Sequence, residues 1–321
     1  MKKLVNKFIF AALGLALMSC SAKEEEAYLF SYFNNKTQAA GLKLAYSLDG
    51  LHWTALNNNE PILSPEVGKD KLMRDPSICQ GPDGTFHMVW TSSWTDQIIG
   101  YASSKDLITW SGQKAIPVMV HEPETLNSWA PELYFDNESG LFWIFWASTI
   151  PGKEGIATEG CLSESNYNHR IYATTTKDFV EFTPTVLWYN PDFNAIDAAV
   201  VKDPQTGELI MAVKNEGLVP VEKNIRIARA KSMEEGFSKE VSAPIFDAEW
   251  CEGPSPLFVG NDLIVFFDMY RKHLYGAVRS HDHGYTWEDI TDQIQMPEGM
   301  SHGTAFKVSR KVVDNLIEKL G

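Results

Sequence analysis

A strand that ends in a small hydroxyl residue, turns through an acid and lands on an aromatic recurs along the chain. It reads Tyr46-Ser47-Leu48-Asp49-Gly50-Leu51-His52-Trp53, then Ser104-Lys105-Asp106-Leu107-Ile108-Thr109-Trp110, then Thr176-Lys177-Asp178-Phe179-Val180-Glu181-Phe182. It continues weakly as Ser232 to Phe237 and finally as Ser280-His281-Asp282-His283-Gly284-Tyr285-Thr286-Trp287. The hydroxyl and the acid suit a tight turn whose backbone they can hydrogen-bond, and the aromatic packs on the sheet below. Between the repeats lie segments where an innermost strand belongs: Arg74-Asp75-Pro76-Ser77, Trp129-Ala130-Pro131-Glu132, Ala195-Ile196-Asp197-Ala198, Glu252-Gly253-Pro254-Ser255 and Ser301-His302-Gly303-Thr304. Five of each kind, with short β-branched and aromatic runs between them, predict an all-β fold: a five-bladed β-propeller with a short C-terminal helix. A two-sheet sandwich would not generate the five-fold period. Ring closure then requires Thr304 to Val308 to be the inner strand of the blade whose outer strands come from Tyr28 to Trp53. Val312, Val313, Leu316, Ile317 and Leu320 keep a helical spacing, with Ser309 placed as the cap. No linker rich in Pro, Gly or Ser divides residues 28–321, so they read as one domain.

Ahead of it, Lys2, Lys3 and Lys7 precede an apolar run from Phe8 to Met18, too short to span a bilayer, as in a secretory signal. Its end, Leu17-Met18-Ser19-Cys20, resembles a bacterial lipobox, which implies lipidation of Cys20, loss of residues 1–19 and a tether over residues 20–27. The expected product is an exported lipoprotein, held by an outer-membrane lipid anchor at the cell surface or in the periplasm. The whole chain carries 28 basic and 42 acidic residues; without the first 19, the charge is 25 − 42 = −17. That excess repels phosphates and argues against nucleic acid, while leaving a neutral ligand open. Cys79, Cys161 and Cys251 are an odd number with no metal-like spacing, and read as buried free thiols.

The inner strands of a propeller converge on one end of its axis, so the residues that begin them share a pocket. Three of the five beginnings carry an acid: Asp75, Asp197 and Glu252. Carboxyls gathered in this way are expected to diverge in acidity through repulsion and burial, which suits acid–base chemistry. Asp197 is the most telling, because it interrupts the apolar strand Ile196 to Val201, where a buried acid needs a reason.

Taken in order, Arg74-Asp75-Pro76, Trp129-Ala130-Pro131, Ile196-Asp197, Glu252-Gly253-Pro254 and His302-Gly303 resemble glycoside hydrolase family 43, over about residues 28 to 310. The resemblance implies an enzyme that cleaves arabinose-, xylose- or galactose-containing glycans with inversion. It implies Asp75 as general base, Glu252 as general acid, and Asp197 as the neighbour that orients Glu252 and keeps the proton on it. It also implies that His302 lies near the axis, where some members bring a water or a calcium ion. No cofactor is required, and a structural calcium near His302 is the one metal the resemblance admits.

Neutral sugars call for aromatic walls and hydrogen-bonding side chains. Trp94 and Trp129, at or just after inner segments, are expected to supply walls, and Arg74, Lys214, Arg271 and His302 to meet hydroxyls; the insertion Pro151 to Asn168 would close one side. The expected substrate is a neutral oligosaccharide or polysaccharide, with removal of terminal α-L-arabinofuranosyl residues ahead of β-xylosidase or exo-galactanase action. A retaining, family 32-like fructosidase needs a nucleophilic Asp that Tyr28 to Asn35 does not supply. A glycan-binding surface lipoprotein without turnover would have no need of all three acids.

Overall fold

The computed structural model describes residues 25–37, 40–153, 162–163, 166–247 and 250–321. Five antiparallel sheets surround an axis, and their innermost strands touch one another in a ring. Blade 1 comprises Arg74–Gln80, Phe86–Thr91, Ile99–Ser104 and Lys114–Ile116; blade 2 comprises Trp129–Asp136, Leu141–Ser148, Arg170–Thr176 and Val186–Tyr189. Blade 3 has Ala195–Lys202, Leu209–Asn215 and Asn224–Ala230; blade 4 has Glu252–Val259, Asp262–Met269, Leu274–Ser280 and Glu288–Asp289. Blade 5 closes the ring as expected, with Ser301–Ser309 innermost, followed by Glu26–Phe33, Lys43–Ser47 and Thr54–Ala55.

The apolar content lies between blades. Each sheet is covered on both faces, so its middle strands read as continuous apolar runs rather than alternating ones. Along one strand of blade 5, Leu29 enters the cluster shared with blade 1, while Tyr28 and Phe30 enter the one shared with blade 4. Ile144 and Phe145 divide in the same way between blades 1 and 3.

The repeated turns form as the sequence predicts. The Ser47 hydroxyl accepts from the Gly50 N–H at 2.9 Å, and Asp49 Oδ1 accepts from Leu51 and His52 at 2.8 and 2.9 Å. The same bonds recur at Ser104 and Asp106, at Thr176 and Asp178, and at Ser280 and Asp282. The weak fifth copy carries Glu234 where the others carry Asp and keeps one such bond, from Glu235 N–H to Ser232 Oγ at 3.1 Å. There the fourth strand is replaced by an irregular segment whose Ser238, Ser242 and Ile245 N–H groups bond the Arg229, Ile227 and Ile225 carbonyls. The terminal helix, Arg310–Leu320, buries Val313 and Leu316 as its spacing requires, but the Ser309 side chain makes no capping bond. Cys79 and Cys251 form no disulfide among the described residues, Cys251 being buried and Cys79 partly so, whereas Cys161 and Cys20 lie outside the described residues.

Candidate active site

All five inner strands carry one extra residue at their start. Register slips between Arg74 and Ser77, Trp129 and Glu132, Ile196 and Ala199, and Glu252 and Ser255, and at Ser301 to Gly303 against Tyr32 and Phe33. A bulge bends its strand and re-aims a side chain. Asp75, Ala130, Asp197 and Gly253 hold equivalent bulge positions with φ of 51°, 46°, 51° and 56°, in the left-handed region that costs a residue with a Cβ energy. Pro76, Pro131 and Pro254 follow, where the ladder asks for no N–H. Glycine is required at 253, because a Cβ there would lie 2.4 Å from the His302 ring.

The bulges sort the axial side chains into tiers. Asp75, Asp197 and His302 form one tier, each under a tenth exposed. His302 Nδ1 lies 3.3 Å from Asp75 Oδ1 and 4.0 Å from Asp197 Oδ2. Thr91 donates its hydroxyl to Asp75 Oδ2 at 2.8 Å, and the Gly253 N–H donates to Asp197 Oδ2 at 3.1 Å. Glu252 stands one residue ahead of the bulge, in the tier of Arg74 and Trp129, nearer solvent. Beneath them Glu132 is buried on the axis and accepts hydroxyl bonds of 2.6 Å from Ser77 and from Thr304, tying blades 1, 2 and 5 together.

These carboxyls diverge in acidity. Burial acts to raise Asp75, but His302 and the bonds to Asp75 outweigh it there and hold Asp75 at about 2. At Asp197 burial prevails over His302 and Lys214, and the group rises to about 6. Burial also lifts Glu132 to about 7 and, helped by Glu252, Asp268 to about 7. His302 goes the other way from its burial, up to about 10, because Asp197 and Asp75 favour the imidazolium.

The signs predict how stability follows pH. Asp197, Asp268 and Glu132 keep protons in the fold that the unfolded chain releases from about pH 4 upward, and His302 does the same from 6.5 to about 10. Each contribution falls as pH rises; Asp75 acts oppositely below 3.8, and His87 and His169, lowered by burial to about 4 and about 3, act oppositely up to 6.5, but they are outnumbered by these four groups. Thermal melts should therefore give a higher Tm at pH 5 than at pH 8. Glu132→Gln should flatten part of that slope; a Tm that rises over this range would contradict the arrangement.

Lys214 is buried, with its ammonium 2.7 Å from Glu216 and 3.2 Å from Glu252, and 4.9 Å above the Tyr270 ring. Lys223, also buried, holds the other Glu216 oxygen at 2.6 Å. Lys214, expected from the sequence to meet sugar hydroxyls, here meets carboxylates. Arg271 stacks on Trp250, 3.0 Å from its ring centre. Arg74 lies between the Phe33 and Trp94 rings, at 4.5 and 4.8 Å, and donates to Asn35 at 2.7 Å. Trp94 is 39% exposed and meets Trp129 edge-on at 5.8 Å, and the Trp129 indole donates to the Trp94 carbonyl. Tyr167 extends this wall, 5.4 Å from Trp129. Part of the insertion Pro151 to Asn168 lies outside the described residues.

A cleft of about 710 Å³ opens off the axis toward blade 5, lined by Glu252 and Asp268 with Tyr270, His273, Asn35 and Asn59. Asp75 and Asp197 lie outside its lining. A second cavity, about 540 Å³, opens at the opposite end of the axis, with Glu132 and Thr304 among its walls. Among the described residues no group of three or more His, Cys, Asp or Glu side chains is arranged to hold a metal ion. Sequence reasoning missed Asp268, Glu132 and Tyr167. An acid closing the apolar run Leu263 to Phe267 was the available signal for Asp268.

Residues 23–314 match the family described as "Probable glycosyl hydrolase domain", related to family 43. Over 195 residues the chain is 26% identical to an alpha-L-arabinofuranosidase of Bifidobacterium longum subsp. longum, covering 55% of this chain and 18% of that protein's length. Its fold is similar to that of an alpha-L-arabinofuranosidase from Lactobacillus brevis, with a TM-score of 0.52, 17% identity, and coverage of 68% of this chain and 72% of that one. It is also similar to the Bacteroides ovatus protein named Xyloglucan PUL GH43B, with a TM-score of 0.51, 17% identity, and coverage of 72% of this chain and 42% of that one.

Proposed function

The chain belongs to the probable glycosyl hydrolase family related to glycoside hydrolase family 43, and from that premise we propose that it hydrolyses terminal α-L-arabinofuranosyl bonds with inversion. One observation carries the reading: two bulge-borne carboxyls from different blades, Asp75 and Asp197, flank His302, and Glu252 immediately precedes the Gly253 whose N–H bonds Asp197. Asp75, held ionised, takes a proton from the water that attacks the anomeric carbon. A carboxylate near pH 2 is a weak base, but the oxocarbenium-like transition state makes that water acidic. Glu252 gives its proton to the departing oxygen, so the products are a free sugar and an alcohol. Asp197 fixes the start of the Glu252 strand through the Gly253 N–H and, when ionised, favours the proton on Glu252. The Arg74, Trp94 and Trp129 wall would receive the sugar.

The arabinose preference draws on two relatives of that name, and β-xyloside or β-galactoside cleavage are the competing outcomes. A panel of nitrophenyl α-L-arabinofuranoside, β-D-xyloside and β-D-galactoside, with NMR of the first-formed anomer, tests both parts. Release of arabinose as the inverted anomer is expected. Retention would overturn the mechanism, and no reducing sugar from these or from arabinan, arabinoxylan and arabinogalactan would favour a binder.

Export and lipidation of Cys20 belong to the same proposal. The described chain starts at Glu25 and Glu26, beside Ser309 and Arg310, at the far end of blade 5 from Phe33 and Ser301. An anchor reached from that end would turn the mouth away from the membrane. Labelling by palmitate that disappears in Cys20→Ala is the expected result.

A further inference from the structure

Glu252 has a partner that the three-acid scheme leaves unused. Asp268 lies directly opposite it on the neighbouring strand of blade 4, and both line the 710 Å³ cleft. Residues so paired point to one face, with Cβ atoms roughly 4.5–5.5 Å apart. Asp268 is only 3% exposed and accepts from the His302 backbone N–H. On this side of the axis four carboxyls, Asp197, Glu216, Glu252 and Asp268, face two ammonium groups, Lys214 and Lys223. The His302 imidazolium is drawn to Asp75. Carboxyls in such excess, removed from water, cannot all ionise.

We propose that Asp268 is a positioning residue that shares one proton with Glu252, so that this cross-strand pair carries the proton at neutral pH and delivers it through Glu252 to the departing oxygen. The inference rests on the hydrolase reading for its role, though not for the pairing itself. Asp268 passes the shared proton to Glu252, whose O–H bond then breaks as the leaving oxygen gains the proton, and water in the cleft returns a proton to Asp268. Lys214 draws Glu252 toward the carboxylate, which leaves the shared proton with Asp268 between turnovers. The other groups facing Asp268 do not replace this role. Tyr275, opposite it on Leu274–Ser280, and Cys251 are raised by burial and stay neutral, while His302 faces it through its backbone N–H. Lys43, Glu60, His273 and Glu298 line the same cleft farther round its rim. The rise of Asp268 to about 7 agrees.

Two measurements on the full chain decide the matter. In ¹³C-carboxyl NMR of labelled aspartate, with Asp268 assigned by its loss in Asp268→Asn, Asp268 should titrate near 7. That step should fall by about one unit or more in Glu252→Gln, because paired groups titrate together. An ordinary carboxylate titration, or a step that Glu252→Gln leaves in place, overturns the pairing. In pH–rate profiles on whichever of arabinan, arabinoxylan and arabinogalactan the wild type cleaves, where the leaving alcohol needs a proton, Asp268→Asn should move the alkaline limb down by about one unit and leave the acid limb, set by Asp75, in place. A merely structural role would lower the rate at every pH without moving that limb, and would overturn the delivery step. A wild type that cleaves none of them overturns the hydrolase reading and with it the delivery step, while the NMR titration still decides the pairing.

Discussion

Asp75→Asn is expected to lower turnover by about 10²–10⁴, the usual contribution of a positioned acid or base, while the propeller stays folded. Asparagine keeps the shape and can still accept from Thr91, whose hydroxyl now bonds Asp75 at 2.8 Å. It cannot take the proton of an attacking water. Glu252→Gln should cost a similar factor on a natural glycan, whose leaving alcohol needs a proton. The two losses part company on a nitrophenyl glycoside, whose phenolate leaves without full protonation. There Glu252→Gln should recover much of the rate and Asp75→Asn none of it. Steady-state kinetics on both substrate types, with circular dichroism to verify folding, give the comparison. Equal losses on both substrates would reverse or void the assignment, and near wild-type turnover of the natural glycan in either variant would remove that residue from the chemistry.

The blades were legible because their signals are local. A hydroxyl and an acid two residues apart, such as Ser104 and Asp106, bond their own turn, so the chain need fold only over a few residues for the pattern to have meaning. The inner segments were legible for a related reason, since a Pro at the bulge marks a strand that lacks one ladder bond. The tiers were not legible. Asp75 and Glu252 look equivalent in sequence, each at the head of an inner strand, yet one sits on the bulge and the other one residue ahead of it. His302 read as a water or calcium contact; its role as the charge facing Asp75 and Asp197 depends on three blades closing at once. Glu132 was visible in Trp129-Ala130-Pro131-Glu132, but nothing local told that Ser77 and Thr304 would deliver hydroxyls to it from two other blades. Asp268 was within reach, because the argument that singled out Asp197, a buried acid within an apolar strand, applies to it unchanged.

Lys214→Met should destabilise the fold by about 3–5 kcal/mol, the usual loss when one partner of a buried ion pair is removed, and should lower Tm by on the order of 10 °C. Methionine fills the volume, so the loss is electrostatic. The ammonium now stands between Glu216 at 2.7 Å and Glu252 at 3.2 Å, with its side chain 3% exposed. Without it, among the described residues Glu216 keeps Lys223, while Glu252 faces Asp197 and Asp268 without the ammonium that now lies 3.2 Å away. Two controls identify the cause. The destabilisation should shrink as the pH falls, because Lys214 and Lys223 now hold Glu216 down to about 2, and a Glu216 released from Lys214 takes up a proton at higher pH. Adding Glu216→Gln to Lys214→Met should restore much of the lost stability, since the stranded carboxylate is gone. A sugar-binding lysine would behave differently: KM would rise while Tm stayed in place. That result would return Lys214 to the hydroxyl-binding part expected of it from the sequence, and would require its ammonium to leave the two glutamates when the glycan arrives.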